Sequence, residues 1–328
     1  MSSSSPIAGV ATGAAGFAAG CGHEPDPPVL VTSVAEFAGL ATAVPAAMGR
    51  MVRGFFANGG NRAYVAGTLV ALDAIDEIAL LCPLPGESGE AIAQCERRRD
   101  RVAILSLPAG LGNVAAALAA RPDENSAFAA VHHPWVWAEG ALTPPGGHVA
   151  GVYASGEVGG NPAGSEIHGL DDPRLEFSLL ASEIAALVAG AVNPLRDLRA
   201  IGRGVRVWSA RTLDPDLERQ SLPVQRLMIF LEISIARGLS WIGGERNGEE
   251  LWARVREAVG SFLFRQWQEG RLQGRAPDEA FFVRCDRSTM TQQDLDEGHL
   301  VCLIGVAPVR RAEFVVLRIG QWTAGRCS

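Results

Sequence analysis

Lysine is absent from the chain, so all 29 basic residues are arginine, and against 36 acidic residues they leave a formal charge of -7. No basic cluster stands out from that acidic background, which argues against nucleic acid as the main partner. No Lys or Arg precedes Arg50. The small-residue apolar run from Ile7 to Gly20, ending in the lipoprotein-like Ala18-Ala19-Gly20-Cys21, therefore lacks the positive segment that a secretory signal needs. No run of about twenty strongly apolar residues is evident, so no membrane partner is expected. The six cysteines, Cys21, Cys82, Cys95, Cys285, Cys302 and Cys327, include no C-x-x-C pair and are expected to be reduced, mostly buried thiols. The six histidines, His23, His132, His133, His148, His168 and His299, form no H-E-x-x-H motif and no Cys/His cluster at ligand spacing. His132 and His133 are adjacent and would face opposite sides of a strand, so no metal is expected. Asn58-Gly59-Gly60 has neither G-K-[ST] nor G-x-G-x-x-G around it and reads as a helix stop before a strand. No cofactor is expected.

What is present is a chain of 328 residues, 48% hydrophobic and 20% charged, long and apolar enough to bury a large core in two domains. Short apolar runs at Ile75 to Cys82, Arg101 to Leu107 and Ala127 to Val131 alternate with helical stretches such as Ser88 to Arg99 and Gly112 to Ala120. That alternation predicts an α/β layer with a largely parallel sheet. Ser33 with Glu36 makes a capping box, Ala47 to Phe56 predicts a helix, Arg62 to Val65 begins a strand, and Pro145 suits a first helical turn. Leu175 to Val192 predicts a helix broken by Asn193-Pro194. Val224 to Arg237 predicts a helix apolar nearly all round, hence buried, that stops at Gly238. Asn247 with Glu250 opens the next helix and Gly270 closes it. Its apolar stripe is Leu251, Val255, Val259, Phe262 and Leu263, with Arg254, Glu257, Arg265 and Gln268 toward the opposite side.

Three strand-like runs then follow one another, Ala280 to Asp286, Leu300 to Val309 and Glu313 to Trp322. The third lies only six residues from the C-terminus. In it Val315, Leu317 and Ile319 point one way and Phe314, Val316 and Trp322 the other, so neither face reads as solvated. Such a strand must be paired or covered, because its bare backbone would template another chain. A central strand of the chain's own sheet and a strand donated to a neighbour both meet that requirement.

The block FFVRCDRSTMTQQDLDEGHLVCLIGVAPVRRAEFVVLRIGQWT, from Phe281 to Thr323, closely resembles the C-terminal domain of contractile tail sheath proteins. That family covers phage tails, R-type pyocins and phage-tail-like extracellular injection systems. Pro6 to Gly20, NGGNRAYV from Asn58, PPGGHVAGVY from Pro144 and IGRGVRVWSARTL from Ile201 are similar to the same family. The resemblance thus covers nearly all of residues 6 to 323. It implies a subtilisin-like, non-catalytic α/β sheath domain over residues 1–213 and a smaller α+β C-terminal sheath domain over residues 214–328, with a strand-donating arm at about 313–328. It implies inter-subunit strand exchange through Phe314, Val315, Val316, Leu317, Arg318, Ile319 and Trp322, with Phe281, Phe282, Val283, Val301, Leu303 and Ile304 in the strands that receive it. Arg254 and Arg265 become candidate contacts to an inner tube. The implied partners are further copies of the chain in a stack of six-subunit rings, an inner tube protein, and baseplate and tail-terminator proteins.

The function implied is a structural subunit that polymerises around the tube and contracts, driving the tube through a target envelope. Heterologous strand donation makes open helical filaments, and contraction releases the difference between two packings. The particle is expected to assemble in the bacterial cytoplasm and to be released as a phage tail or phage-tail-like body. A subtilisin-like fold invites a protease reading through His148. The nearest nucleophile-like stretch, Arg287-Ser288-Thr289-Met290, lacks the small residues that flank a subtilisin serine and lies outside that domain, so no catalytic residue and no enzyme are expected. The chain opens MSSSS and goes straight to the first core strand, without the Y-x-x-P-G-V-Y-V-E-E arm usual in sheath proteins. An end-specific sheath paralog near the baseplate or cap is therefore the alternative, and a hydrolase on the α/β domain a more distant one.

Overall fold

Each apolar run of the first two-thirds becomes a short strand, and the computed structural model, which describes residues 6–20, 25, 27–172, 174–216, 219–308 and 315–323, joins eight of them in one sheet. These are β1 (Ala15–Ala18), β2 (Val29–Val31), β3 (Ala63–Ala66), β4 (Leu80–Cys82), β5 (Val102–Ser106), β6 (Ala129–His133), β9 (Val192–Asp197) and β10 (Val205–Val207). A separate two-stranded ribbon pairs β7 (Val136–Ala138) with β8 (Ala141–Thr143). The order across the large sheet is β10-β9-β6-β5-β4-β1-β3-β2. Its interior ladders are all parallel, and only the outermost pairs β10/β9 and β2/β3 are antiparallel. Strands such as β5, VAILS, are buried along their whole length, as a parallel sheet covered on both faces requires.

Helices alternate with these strands: α1 (Val34–Ala38), α2 (Ala46–Ala57), α3 (Leu69–Asp73), α4 (Ser88–Arg98), α5 (Val114–Ala119), α6 (Gly146–Ser155) and α7 (Ala181–Ala189). The fold is the expected mixed α/β architecture with a parallel-rich sheet. Two local expectations fail for identifiable reasons. The predicted helix from Leu175 shrinks to α7, because Leu175 bridges Val136 and Val192 already belongs to β9. Asn193-Pro194 does not break a helix but sits inside β9. There Asn193 Nδ2 donates to the Val131 and Arg211 carbonyls, and its Oδ1 accepts from Ser209 and the Arg211 amide. A buried amide with all four positions satisfied replaces the ladder bond that proline cannot make. At α1 the Ser33 hydroxyl caps as expected, but the Glu36 carboxylate reaches the Thr32 amide and hydroxyl rather than closing the box on Ser33.

The closest packing is between α2 and α6. A Cβ on Gly147 would lie 2.2 Å from the Met51 carbonyl oxygen, and one on Gly151 2.3 Å from that of Phe55. From the other side, a Cβ on Gly54 would meet the His148 ring at 2.4 Å. Three glycines thus let two helices approach backbone to backbone, with Met51 and Phe55 wholly buried. Arg101, also fully buried, donates to the Leu72 and Ile75 carbonyls and to Asp100, which satisfies the end of α3.

Burial also lowers the pKa of His132, His133 and His148 to about 4 each. These values lie below the 6.5 of a free imidazole, so between pH 6.5 and 4 the unfolded chain binds the extra protons. Stability should therefore fall as pH is lowered through that window, by on the order of 3 kcal/mol for a fully buried imidazole. Melting curves across this range should show the fall, and His148→Gln should flatten the dependence; an unchanged slope in that variant would remove His148 from the account.

The chain divides into two compact units, one from Ala11 to Arg226 and the other joining residues up to Val10 with those from Leu227 onward. Residues 213 and 214, where composition changes, lie between β10 and α8 (Leu222–Gly238), and the division between units falls inside α8. With the turn that follows it to Gly244, α8 is long and apolar enough by length and composition alone to cross a membrane, a test that a buried core helix also meets. Its Leu227, Leu231 and Ile235, with Leu239 just beyond it, are buried in the smaller unit's core, which accounts for the composition. In that unit Ile7 is buried, its carbonyl accepts from Arg265, and the Val10 amide donates to Ser234 of α8.

Candidate assembly surface at the C-terminal sheet

Three antiparallel strands form the sheet of the smaller unit in the order β11 (Phe281–Arg284), β12 (His299–Val306) and β13 (Val315–Trp322). The unit also contains α9 (Glu249–Gln268) and the short helices α10 (Pro277–Ala280) and α11 (Gln292–Asp296). Most of β12 is buried, which suits the middle position. It pairs with β11 from Phe281↔Val306 to Arg284↔Leu303, and with β13 over eight positions from His299↔Trp322 to Val306↔Val315. The terminal strand thus pairs within its own chain, and at the edge rather than the centre of the sheet.

The alternation along β13 is only half used. Ile319 is buried, whereas Val315, Val316 and Trp322 are 40%, 56% and 65% exposed. Phe282 is exposed on β11, and its ring lies over Gly305, where a Cβ would meet it at 2.1 Å. Among the described residues neither β11 nor β13 has a ladder on its outer side. Among the described residues the sheet thus has two unpaired edges and exposed apolar side chains on both faces, an arrangement open to a further strand. Two clamps hold β13 in register. Thr323 gives its amide and hydroxyl to the Gly298 carbonyl at 2.7 and 2.6 Å, and the Trp322 ring lies 4.9 Å from that of His299. The His299 ring meets Asp294 at 3.1 Å, and Thr291, followed by His299, holds the Asp294 carboxyl at about 2.

The structure brings Phe281, Phe282, Val283, Val301, Leu303, Ile304, Val315, Val316, Leu317, Arg318, Ile319 and Trp322 into this one sheet. Phe314 lies outside the described residues. Arg254 and Arg265 are eleven residues apart on α9 and so project on nearly the same side of it. Arg254 pairs with Glu245 at 3.2 Å and stacks over Trp241, and Arg265 donates to the Ile7 carbonyl at 2.7 Å. The predicted cap of α9 is absent: Gly248 precedes it without a side-chain bond, because Asn247 accepts instead from the Trp252 indole.

Among the described residues no hydrolytic arrangement accompanies this surface. Ser288 donates to Asp286 within a short turn and belongs to a different unit from His148, which is buried against α2. Among the described residues no group of three or more His, Cys, Asp or Glu is placed to hold a metal ion.

The family model for the phage tail sheath C-terminal domain matches residues 217–321, which include this sheet up to the last residue but one of β13. No curated protein sequence matches the chain. Solved structures do. The sheath of the PVC extracellular contractile injection system in its contracted state is 28% identical, with a TM-score of 0.84 over 99% of this chain and 96% of that one. The anti-feeding prophage helical sheath, also contracted, is 27% identical at a TM-score of 0.78, covering 97% and 96%. A 6-fold symmetrised anti-feeding prophage baseplate contains a chain 26% identical at 0.78, covering 98% and 97%.

Proposed function

Because the chain belongs to the contractile tail sheath family, we propose that the open C-terminal sheet is where its copies are joined, by exchange of β13 between neighbours. The chain is a structural subunit of such a sheath and not an enzyme, as its relatives are structural parts of contractile particles. The observation that carries the reading is the full-length match to contracted sheath subunits, ending in an edge strand with both a partner and an open flank. Copies assemble with one another into a helical sheath. In the finer reading, β13 leaves its own β12 and takes the same eight-position register on a neighbour, Phe314 travelling with it, and β11 and β12 form the acceptor. One chain gives and receives at different places, so the contact does not close on itself and a filament results.

The further details follow from the relatives. Six subunits per ring fit the symmetry of the baseplate assembly that contains a similar chain. An inner tube, a baseplate and a terminator are the remaining partners. Assembly takes place in the bacterial cytoplasm, and the finished body acts outside the cell. Arg254 and Arg265 share one side of α9 and supply positive charge toward the tube, although each also has an internal partner.

Purified protein expressed alone should form hollow striated tubes in negative-stain electron microscopy. Single rings or monomers would instead indicate an end-specific role. The double variant Arg254→Glu and Arg265→Glu should retain tubes but lose copurification with the inner tube protein; unchanged copurification would remove both arginines from the contact.

A further inference from the structure

Cys285 follows the last residue of β11, and Cys302 lies in β12. The ladder pairs Phe281 with Val306 and Arg284 with Leu303, so one further step sets Cys285 directly opposite Cys302. The Ala307 amide donates to the Ala280 carbonyl, and alternation from that hydrogen-bonded pair makes 285/302 a non-hydrogen-bonded pair. Cα atoms there lie about 4.5 Å apart with side chains close, inside the range of about 4.4–6.8 Å that a disulfide spans. Both thiols are buried and free. Cys82 and Cys95 are likewise buried and free, on β4 and α4.

We propose that Cys285 and Cys302 are a modification site, a dithiol that a low-molecular-weight disulfide such as oxidised glutathione converts to a cross-strand disulfide between β11 and β12. The Cys302 thiol opposite it lowers the pKa of Cys285, and the nearby Arg256 guanidinium, which also donates to the Cys285 carbonyl, adds to the effect against the cost of burial. The facing Cys285 thiol, followed by burial, raises Cys302. Arg256, held at the Cys285 carbonyl, favours a thiolate at Cys285, which makes Cys285 the attacking sulfur. Its thiolate attacks one sulfur of oxidised glutathione and releases the first glutathione thiolate. Cys302 then loses its proton, attacks the Cys285 sulfur of the mixed disulfide and releases the second. Two protein thiols are oxidised, one glutathione disulfide is reduced to two thiols, and the two protons end on the released glutathione. Access comes from opening at the strand end, where Arg284 is exposed.

The bond would join the two strands that β13 leaves behind and would not touch β13 itself. Thiols reduced where the chain is made would thus close where disulfides persist, outside the cell.

The test uses the full chain. Since lysine is absent, trypsin cuts only at arginine and places Cys285 in the peptide Cys285–Arg287 and Cys302 in Ser288–Arg310. After incubation in oxidised glutathione, and in a parallel arm with the small thiol oxidant diamide, non-reducing digestion should yield these two peptides joined, with the loss of two hydrogens. Cys82 and Cys95 should remain alkylatable once the chain is denatured. Cys285→Ser should abolish the joined species and leave Cys302 alkylatable. Free Cys285 and Cys302 after both oxidants, glutathione retained on either one, or a bond from either to another cysteine would overturn the proposal.

Discussion

With Leu303→Cys and Arg318→Cys in one chain, oxidation is expected to abolish the formation of hollow tubes and reduction to restore it. The two positions face each other across β12 and β13, so their Cα atoms lie within disulfide range. Leu303 is half-buried and Arg318 exposed, so the substitutions disturb little of the core. Side chains alternate along β12, and a cysteine at 303 points away from the face that carries Cys302. A covalent bond there leaves the native sheet unaltered and forbids only the departure of β13. Deletion of the terminal strand cannot make that distinction, because it also strips β12 of eight pairing positions. The segment 307–314 can reach at most about 29 Å when extended, so Val306 at the end of the neighbour's β12, the partner of Val315 in this register, must lie within that distance. Eight identical pairings on either side of the exchange leave little free-energy difference between the two states. The expected contrast is complete: tubes in reductant, none with the bond verified by peptide mapping. Tubes that form with the bond in place would exclude exchange of β13.

A second large effect is expected in the α/β unit. Gly147→Ala should lower its melting temperature by about 6–12 °C, corresponding to a loss of about 3 kcal/mol in a unit of this size. The added methyl would lie 2.2 Å from the Met51 carbonyl oxygen, which is backbone and has no rotamer to change, so α2 and α6 must move apart and their buried contacts loosen. Gly260→Ala provides the opposite case. Gly260 lies inside α9 with nothing within 4 Å of the added carbon, and alanine there should raise stability by about 0.5–1 kcal/mol. Similar melting temperatures for Gly147→Ala and the unsubstituted chain would show that the helices can separate at no cost.

Legibility in the sequence followed burial. Arg101 to Leu107 and Ala127 to Val131 announced β5 and β6 because strands covered on both faces carry unbroken apolar runs. The three terminal runs likewise became β11, β12 and β13. Signals that rest on one polar residue were less dependable. Pro194 has the sequence signature of a helix end, yet its strand is completed by the Asn193 side chain, whose partners lie up to 62 residues away. Asn247 resembled a cap but is drawn off by Trp252. The opposition of Cys285 and Cys302 also depended on register, which fixes a distant pairing that spacing along the chain does not contain.

The two sheets differ in how their margins are made. The large one ends on each side in a strand of three residues, β2 and β10, whereas the small one ends in an eight-residue strand. Short margins offer few backbone groups for an incoming chain to read. Where many copies are produced at once, the large sheet is therefore a poor competitor for stray strands, and errors of joining are suppressed. If β13 is the strand exchanged, fidelity of construction follows from one long border and short borders on the other sheet.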